Sequence, residues 1–287
     1  MTVNSEDISV IIILYNPSED DINNVRDISS RYSGVVCDNS PASSLNCDTI
    51  NKMKYISNGG NIGIAAAQNK AIRAAEGYKY LVILDQDSRL APDYPEQIAC
   101  EYVKAQEKFP RLAIMGPMLV NGRSEGEYKS DIHKDKYLAD SVIFRENIIA
   151  SGACVSKEVL ADVGLNEEPL FIDLVDSEWC WRANSKGYFC AITPNVTITH
   201  TIGRKLIKIW QFNDVVSAPF RYYYQMRNYL WMVRRLYVPK QWKINNGIKY
   251  IMRVFYLPFC KNGLSSWCYM WKGIFAGLFT TPKKQKH

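Results

Sequence analysis

The sequence predicts an α/β protein in which a mostly parallel sheet is flanked by helices. Short apolar runs rich in β-branched residues alternate with segments of helical length, which is the pattern of successive βαβ units. Four successive predicted strands also end in polar or glycine-rich loops. Because ligands bind beyond the carboxyl ends of the strands in open α/β sheets, these loops should form one binding edge.

The amino-terminal part of the chain contains strands and helices in alternation. Each predicted strand is a short apolar run that stops at a polar loop, which is typical of buried parallel strands. The strands are predicted at residues 9–14, 34–37, 53–57 and 80–84, and the helices at residues 18–30 and 65–75.

Farther along the chain the pattern is less regular. Helices are predicted at residues 93–109, 157–163 and 215–236, and strands at residues 112–115, 142–144, 148–155 and 188–192. Residues 121–140 are polar and charged and contain glycine, which is compatible with a loop or a hairpin. A basic, aromatic tail follows the last predicted helix.

The net charge of +6 conceals a division of charge along the chain. From residue 201 onward there are 16 basic residues and one acidic residue, whereas the first 200 residues contain 19 basic and 28 acidic residues. A basic, aromatic tail suits the surface of an anionic membrane, although it would also attract nucleic acid. Arg253, Lys261 and Lys272 interrupt each apolar run before it reaches about 18 residues, so no membrane-spanning helix is predicted.

The eight cysteines include no C-x-x-C pair and no spacing typical of a zinc site. Residues 1–7 lack the features of a secretory signal. The cysteines are therefore expected to be reduced thiols in a cytosolic protein.

Two carboxylates, Asp85 and Asp87, follow the apolar run at 80–84. In an extended chain, side chains at positions i and i+2 point the same way. Two carboxylates aimed at one point repel each other unless a cation lies between them, and oxygen ligands favour Mg²⁺ or Mn²⁺. Taken in isolation, an Asp-x-Asp is more simply explained as a solvated loop after a strand, so the neighbouring motifs decide between the two interpretations.

The loop at residues 58–63 reads Asn-Gly-Gly-Asn-Ile-Gly and leads into a predicted helix. Its backbone N–H groups and the helix N-terminus could meet a diphosphate. The alternative is a turn that needs glycine only for its positive φ angles. Asp38, at another strand end, could contact a base or ribose, or could cap the turn that follows it.

The segment at residues 171–182 carries Asp173, Asp176 and Glu178 beside apolar residues. A carboxylate in a partly dry pocket can act as a general base. Glu178 lies four residues before Arg182, and on a helix these two would form an ion pair. Asp176 has no such partner in the sequence and is the better candidate base.

Two further features are ambiguous when taken alone. His200 follows an apolar run and could be a metal ligand or a hydrogen-bonded structural histidine. Arg221, Gln225 and Asn228 fall on one face of a predicted helix. That face could hold a diphosphate, an acceptor or a lipid headgroup, or could anchor the helix to the domain.

Taken together, these motifs resemble the family-2 glycosyltransferases of the GT-A fold. Within that family the chain is similar to the bacterial rhamnosyltransferases of O-antigen and capsule assembly, from about residue 10 to about residue 231. The resemblance rests on residues 15–17 (Tyr-Asn-Pro), 38–40 (Asp-Asn-Ser), 58–63, 65–69 (Ala-Ala-Ala-Gln-Asn), 84–87 (Leu-Asp-Gln-Asp), 151–152 (Ser-Gly), 176–182, His200 and 221–228.

The resemblance implies an inverting transfer of a sugar from a nucleotide donor, with dTDP-β-L-rhamnose as the expected donor and a UDP- or GDP-sugar as the alternative. Asp176 would be the general base, although Val175 stands where many relatives carry an acid. Asp85, Asp87 and His200 would hold Mg²⁺ or Mn²⁺. The donor site would comprise Tyr15, Asn16, Asp38, Asn58, Gly60, Asn61, Gly63, Asn69, Asp85, Gln86, Gly152, Trp179 and Arg221.

The resemblance also implies an acceptor saccharide on a polyprenyl diphosphate at the cytoplasmic face of the bacterial plasma membrane. Residues 1–205 would form the catalytic domain. Residues 206–287 would form a helical extension that brings the site to the membrane surface, with a homodimer through this tail as a further possibility. No nucleic-acid partner is expected.

Two rival functions fit the sequence less well. A nucleotidyltransferase should carry a basic, glycine-rich loop after its first strand, but residues 15–20 are acidic. A membrane- or nucleic-acid-binding module would leave Asp85, Asp87 and Asp176 without a purpose.

Overall fold

The computed structural model describes residues 3–45, 50–121, 136–138, 142–200, 206–209, 212–215, 217–260 and 262–282. A nine-stranded sheet forms its centre, in the order β3-β2-β1-β4-β8-β5-β9-β7-β6. Its strands are β1 (Ile8–Leu14), β2 (Gly34–Asp38), β3 (Met53–Ser57), β4 (Tyr80–Asp85), β5 (Leu112–Asn121), β6 (Lys136–Leu138), β7 (Val142–Arg145), β8 (Cys154–Ser156) and β9 (Phe189–His200). A separate antiparallel pair joins β10 (Leu206–Ile209) to β11 (Phe212–Val215).

The sheet is mixed. Strands β3, β2, β1 and β4 run parallel to one another, and β5 runs parallel to β9. Strand β8 is antiparallel to both β4 and β5, while β7 is antiparallel to β9 and to β6. The predicted α/β architecture is confirmed, with more antiparallel pairing in the second half than a mostly parallel sheet would have.

Helices cover both faces of the sheet. They are α1 (Glu19–Arg31), α2 (Ile64–Ala74), α3 (Tyr94–Lys108), α4 (Lys157–Val163), α5 (Val175–Ser185), α6 (Pro219–Val233), α7 (Lys240–Tyr256) and α8 (Gly263–Phe279). Along β1, Val10 and Ile12 belong to a core cluster that includes residues of α1 and α3, whereas Ile11 and Ile13 belong to a second cluster with α2, α4 and α5. Side chains alternate across a strand, so a strand covered on both faces must be apolar throughout, as β1 is.

One predicted strand is wrong over most of its length. Residues 148–153 form a loop, and only β8 pairs with its neighbours. The cause is Gly152, which has a φ of +78° and donates its N–H to the Ile83 carbonyl at 2.7 Å. A Cβ atom at this position would lie 2.4 Å from Ile198 Cδ1, so the backbone approaches its surroundings as only glycine allows.

The observed ends of several other strands and helices differ by a few residues from those predicted. Strands β5 and β9 continue beyond their predicted ends, with a register irregularity between Pro117 and Met118. Helix α6 begins at Pro219, a residue suited to the first helical turn, rather than at 215. Within 121–140 the structure places β6 against β7, and residues 122–135, 139 and 140 lie outside the described part of the chain.

The carboxyl-terminal helices pack closely around α6. A Cβ atom added at Gly273 would lie 2.3 Å from the Tyr223 carbonyl oxygen, and one added at Gly277 would lie 2.9 Å from Leu230 Cβ. These two glycines therefore allow α8 to approach α6 closely. Arg253 of α7 donates to the Gln225 side chain at 2.7 Å. None of the helices in the described chain has the length and hydropathy needed to cross a bilayer.

A buried charge cluster joins this helical extension to α5. Glu178 is fully buried and accepts hydrogen bonds from Arg182 at 3.0 Å and from the Tyr237 hydroxyl at 2.7 Å. It also pairs with Arg235 at 3.2 Å, and Arg235 pairs in turn with Glu167. The predicted Glu178–Arg182 ion pair is confirmed, and it is part of a larger network that links residues after α6 to the sheet domain.

We expect Glu178→Gln to lower the free energy of unfolding by about 3 kcal/mol, because it leaves two half-buried guanidinium groups facing a neutral amide. A matched control is Asp27→Asn, since Asp27 also pairs with an arginine four residues later, Arg31, but its side chain is 59% exposed. That change should cost no more than about 0.5 kcal/mol. Urea unfolding measures both, and equal effects would contradict a stabilising role for the buried cluster.

Candidate active site

The loops that follow β1, β2 and β4 meet at one edge of the sheet. The backbone N–H of Tyr15 donates to the Gln86 side chain at 2.7 Å. The N–H of Asn16 donates to the Ser40 hydroxyl at 2.8 Å, with Asn16 at a positive φ of 45°. Four of the strand-end residues predicted from sequence are therefore neighbours of this edge: Tyr15, Asn16, Asp38 and Gln86.

Asp38 itself faces inward. Its carboxylate is fully buried and accepts hydrogen bonds from the N–H groups of Ser40 and Ser44, both at 2.8 Å, and from the Tyr55 hydroxyl at 2.6 Å. Burial alone would raise the pKa of Asp38, but these hydrogen bonds outweigh it and the pKa is lowered. These contacts are those of the turn-capping alternative, and the contact with a nucleotide stays a prediction.

Asp85 ends strand β4 and Asp87 lies in the turn that follows, so the continuous extended geometry predicted for the two residues is wrong. Strand β4 ends at Asp85, and the N–H of Ser88 donates back to its carbonyl at 3.1 Å. The Asn24 side chain holds the turn by donating to the Ser88 carbonyl at 2.9 Å. Asp85 is half-buried, whereas Asp87 is exposed.

These two carboxylates suit a magnesium or manganese ion that is shared with a ligand. Mg²⁺ is commonly held by one or two carboxylates and completes its coordination with phosphate oxygens and water. Within the described residues no three His, Cys, Asp or Glu side chains form a complete protein-only metal site. His200 ends β9, but its side chain lies outside the described part of the structure.

The glycine loop is split between an open part and a packed end. Asn58, Gly60 and Asn61 are exposed or half-buried, and a Cβ atom at Gly60 would have no neighbour within 4 Å. Gly63 is buried at a φ of +89°, and a Cβ there would lie 2.6 Å from the Phe171 ring.

The N-terminus of α2, which starts just after this loop, is already occupied. The N–H of Ile64 donates to the Phe171 carbonyl at 2.7 Å. The prediction that these N–H groups meet a diphosphate is therefore corrected for this end of the loop, where Gly63 serves the turn and the packing.

Three more predicted donor-site residues lie in the interior. Asn69 is fully buried and exchanges hydrogen bonds with the backbone of Asn166 at 2.8 and 2.9 Å. The indole of Trp179 donates to the Gly164 carbonyl at 2.8 Å. Gly152 is buried beneath the Tyr94 hydroxyl, which donates to its carbonyl. All three make hydrogen bonds with neighbouring backbone, and their contact with the donor stays a prediction.

A cavity of about 530 Å³ opens beside the end of β4. Asp85 and Asp176 both line it, together with Arg221. The loop between β7 and β8 and the segment before α5 supply most of the other walls. They include Arg145, Asn147, Ile148, Ile149, Ala150, Ser151, Ile172, Asp173, Leu174, Val175 and Ser177.

Asp176 lies in the first turn of α5, at the wall of this cavity. Burial raises its pKa to about 6, and the negative charge of Asp85 acts in the same direction. A hydrogen bond from the Ala150 backbone opposes the rise. A carboxylate with a pKa near 6 is still ionised at neutral pH and is more basic than an ordinary aspartate, which suits it to accept a proton.

Arg221 is not a free cation in the cavity. Its guanidinium forms a two-point ion pair with Asp173, at 3.2 Å from Nε and 2.5 Å from Nη2. Asp173 has a φ of +62°, and Phe171 and Leu174 beside it are both at +66°. Sequence inspection missed this left-handed stretch because none of the three is a glycine.

Sequence inspection also missed the loop that carries Asn147, which donates to the Ser177 hydroxyl at 2.8 Å. The sequence predicts a strand from residue 148 and contains no acidic pair or glycine motif that would single out Asn147. Asn147 lines the cavity.

Known proteins resemble this chain in sequence and in fold. The family model for glycosyl transferase family 2 matches residues 9–155. The dTDP-rhamnosyl transferase RfbF of Shigella flexneri is 32% identical over 250 residues, which cover 82% of each chain.

Solved structures agree at the level of the fold. GalNAc-T7 with UDP, GalNAc and Mn²⁺ superimposes with a TM-score of 0.58 at 13% identity, over 93% of this chain and 54% of that one. Residues 1–349 of S. aureus TarS in complex with UDP-GlcNAc give 0.57 at 15% identity, over 94% and 81%. The chain therefore belongs to glycosyl transferase family 2 and is a glycosyltransferase of the GT-A fold.

Proposed function

We propose that the chain transfers L-rhamnose from dTDP-β-L-rhamnose to a lipid-linked saccharide in O-antigen or capsule biosynthesis. The observation that carries the chemistry is that Asp85 and Asp176 line one cavity at the carboxyl edge of the sheet. The choice of donor is supported by the similarity to the dTDP-rhamnosyl transferase of Shigella flexneri. A UDP- or GDP-sugar remains the alternative donor.

In the proposed reaction Asp176 accepts the proton of an acceptor hydroxyl. The hydroxyl oxygen forms a bond to the anomeric carbon while the bond from that carbon to the diphosphate oxygen breaks, and dTDP leaves. Attack from the side opposite the leaving group inverts the configuration, so a β-L donor gives an α-L-rhamnoside. A general base of this kind contributes about 10²- to 10⁴-fold to a rate.

The leaving diphosphate needs positive charge nearby. Asp85 and Asp87 would hold Mg²⁺ or Mn²⁺, with His200 as a candidate further ligand, and the bound cation would offset charge on the departing phosphate. The open edge next to them would receive the nucleotide. Its proposed contacts are Tyr15, Asn16, Asn58, Gly60, Asn61 and Gln86, with Arg221 at the sugar side.

We expect calorimetry to show that dTDP binds more tightly than UDP or GDP, and only with Mn²⁺ present. Asp87→Ala should abolish this Mn²⁺-dependent binding of dTDP, while Asp93→Ala, at an exposed acid before α3, should leave it unchanged. Preference for UDP or GDP would overturn the donor. Absence of any nucleotide binding would overturn the proposed function.

Asp176→Asn should lower the rate of sugar transfer at least about 100-fold without weakening nucleotide binding, because the amide cannot accept the proton. Release of dTDP from dTDP-β-L-rhamnose, with water as the acceptor, is a practical measure. In the unchanged protein kcat/KM should fall as the pH drops through about 6, since protonated Asp176 is inactive. The control is Asp162→Asn, which changes an exposed acid and should leave the rate unchanged. Retained activity in Asp176→Asn would exclude Asp176 as the base.

The helical extension, residues 206–287, is proposed to hold the catalytic part, residues 1–205, at the cytoplasmic face of the plasma membrane. Exposed apolar side chains on α7 recur at intervals of four, three and four residues, which places them on one face of the helix. Residues 240–279 contain six basic residues and no acidic one, as an anionic surface requires. The exposed apolar side chains of these helices are Ile244, Ile248, Ile251 and Phe255 on α7 and Leu264, Phe275, Leu278 and Phe279 on α8.

The double variant Ile248→Glu and Phe255→Glu should lose binding to vesicles of phosphatidylglycerol and phosphatidylethanolamine in a flotation assay. It removes apolar side chains that would enter the interface. Gln241→Glu with Asn245→Glu adds the same charge at polar positions of α7 and should retain most binding. Unchanged flotation of the first variant would contradict the membrane proposal, and loss of a dimer instead would assign the face to a second copy of the chain.

A further inference from the structure

We propose that Asn228 of α6 is a positioning residue for Asp176, and that it acts by holding the left-handed segment that leads into α5. This inference rests on the proposed role of Asp176 as the base. The left-handed segment is residues 171–174, where Phe171, Asp173 and Leu174 all have φ angles between 62° and 66°. Asn228 does not line the cavity, so any effect on the reaction must pass through this backbone.

The left-handed segment is unfavourable on its own. A side chain with a Cβ atom is crowded by the backbone at positive φ, and three such residues within four positions are uncommon. Backbone of this kind persists where the surrounding structure determines it from several sides. The segment therefore depends on groups outside itself.

Asn228 donates to the backbone of this segment and of the residue before it. Its side-chain amide is fully buried and donates to the carbonyls of Leu170 at 3.0 Å, Ile172 at 2.9 Å and Asp173 at 3.0 Å. Its own oxygen accepts from the Arg227 guanidinium at 2.9 Å, which fixes the orientation of the amide. The two N–H groups of one amide are thus shared among three carbonyls within residues 170–173.

The remaining contacts reinforce this hold from α6 and α2. Phe171 stacks on Tyr224 with ring centroids 4.6 Å apart and planes 10° apart. Its carbonyl accepts from the N–H of Ile64. Arg221 pairs with the Asp173 carboxylate. The left-handed segment is therefore held by residues of both α6 and α2. Of these residues, Asn228 donates hydrogen bonds to its main chain at two carbonyls.

The left-handed segment passes directly into the first turn of α5. Leu174 is the residue that caps α5, and its carbonyl accepts from the N–H of Glu178 at 2.9 Å. Asp176 lies between these two residues, so rotation of the backbone at 173–174 would move its carboxylate relative to the cavity. The charged groups that line the cavity with it are Asp85, Asp173, Arg145 and Arg221.

Asn228→Asp tests the proposal, because a carboxylate of the same shape would face three carbonyls that it cannot donate to. The matched control is Gln225→Glu, the same amide-to-acid change one turn earlier on α6. Gln225 contacts Ser217 and Arg253 but not the left-handed segment. Asn228→Ala removes the donors without adding charge, and serves if the Asp variant fails to fold.

We expect Asn228→Asp or Asn228→Ala to lower kcat for dTDP release at least about 30-fold, with the Kd for dTDP changed less than about twofold. The low-pH limb of kcat/KM should move to lower pH, because a displaced Asp176 regains water and an ordinary carboxyl pKa. Hydrogen exchange should accelerate in peptides covering 170–178. Gln225→Glu should change none of these.

Unchanged kcat and unchanged exchange at 170–178 in both Asn228 variants would overturn the inference. Equal losses in Gln225→Glu would also overturn it, because they would indicate general loosening of α6. The hydrogen-exchange result does not require activity, so it is separate from the fate of the proposed function. If Asp176→Asn stays active while hydrogen exchange at residues 170–178 rises in the Asn228 variants, Asp176 is not the base. That result would still support the stabilisation of the left-handed segment by Asn228.

Discussion

The confinement of the Asp176 carboxylate at a wall it shares with Asp85 is the constraint on which the site depends. Burial and the charge of Asp85 both raise its pKa, so the ionised form is less stable in the fold than in water. The rest of the fold must offset this cost, and the first turn of α5 cannot do so alone. Contacts from α6 and from the loop between β7 and β8 hold the turn in place.

Helix α6 contacts both the backbone that precedes α5 and helix α8. On one side Asn228 and Arg227 bind the backbone that precedes α5, and on the other Tyr223 and Leu230 meet the glycine face of α8. The Glu178 cluster adds a buried link between α5 and the residues after α6. The carboxyl-terminal helices are therefore attached to the elements around the cavity by polar, directional contacts as well as by apolar packing.

Sequence patterns predicted the fold better than the site. The strand at 53–57 and the helix at 157–163 were predicted with the bounds they have, because each is a short periodic run between clear end signals. Asp38 and Asn69 looked like ligand-binding residues but proved to be buried, since a polar residue in a motif reads the same whether it faces a ligand or the backbone. Positive φ at Phe171 and Leu174 has no sequence signal, because it is imposed by tertiary contacts.

The same electrostatics determine how Asp176 should respond to a bound donor. A cation held by Asp85 would cancel part of the negative charge that raises the Asp176 pKa, and this acts to lower it. A donor in the cavity would at the same time displace water, and the loss of water acts to raise the pKa. Burial is the larger of the two causes in the free protein. In the free protein the raised pKa makes Asp176 more basic than an ordinary aspartate, which suits it to the proposed role of general base.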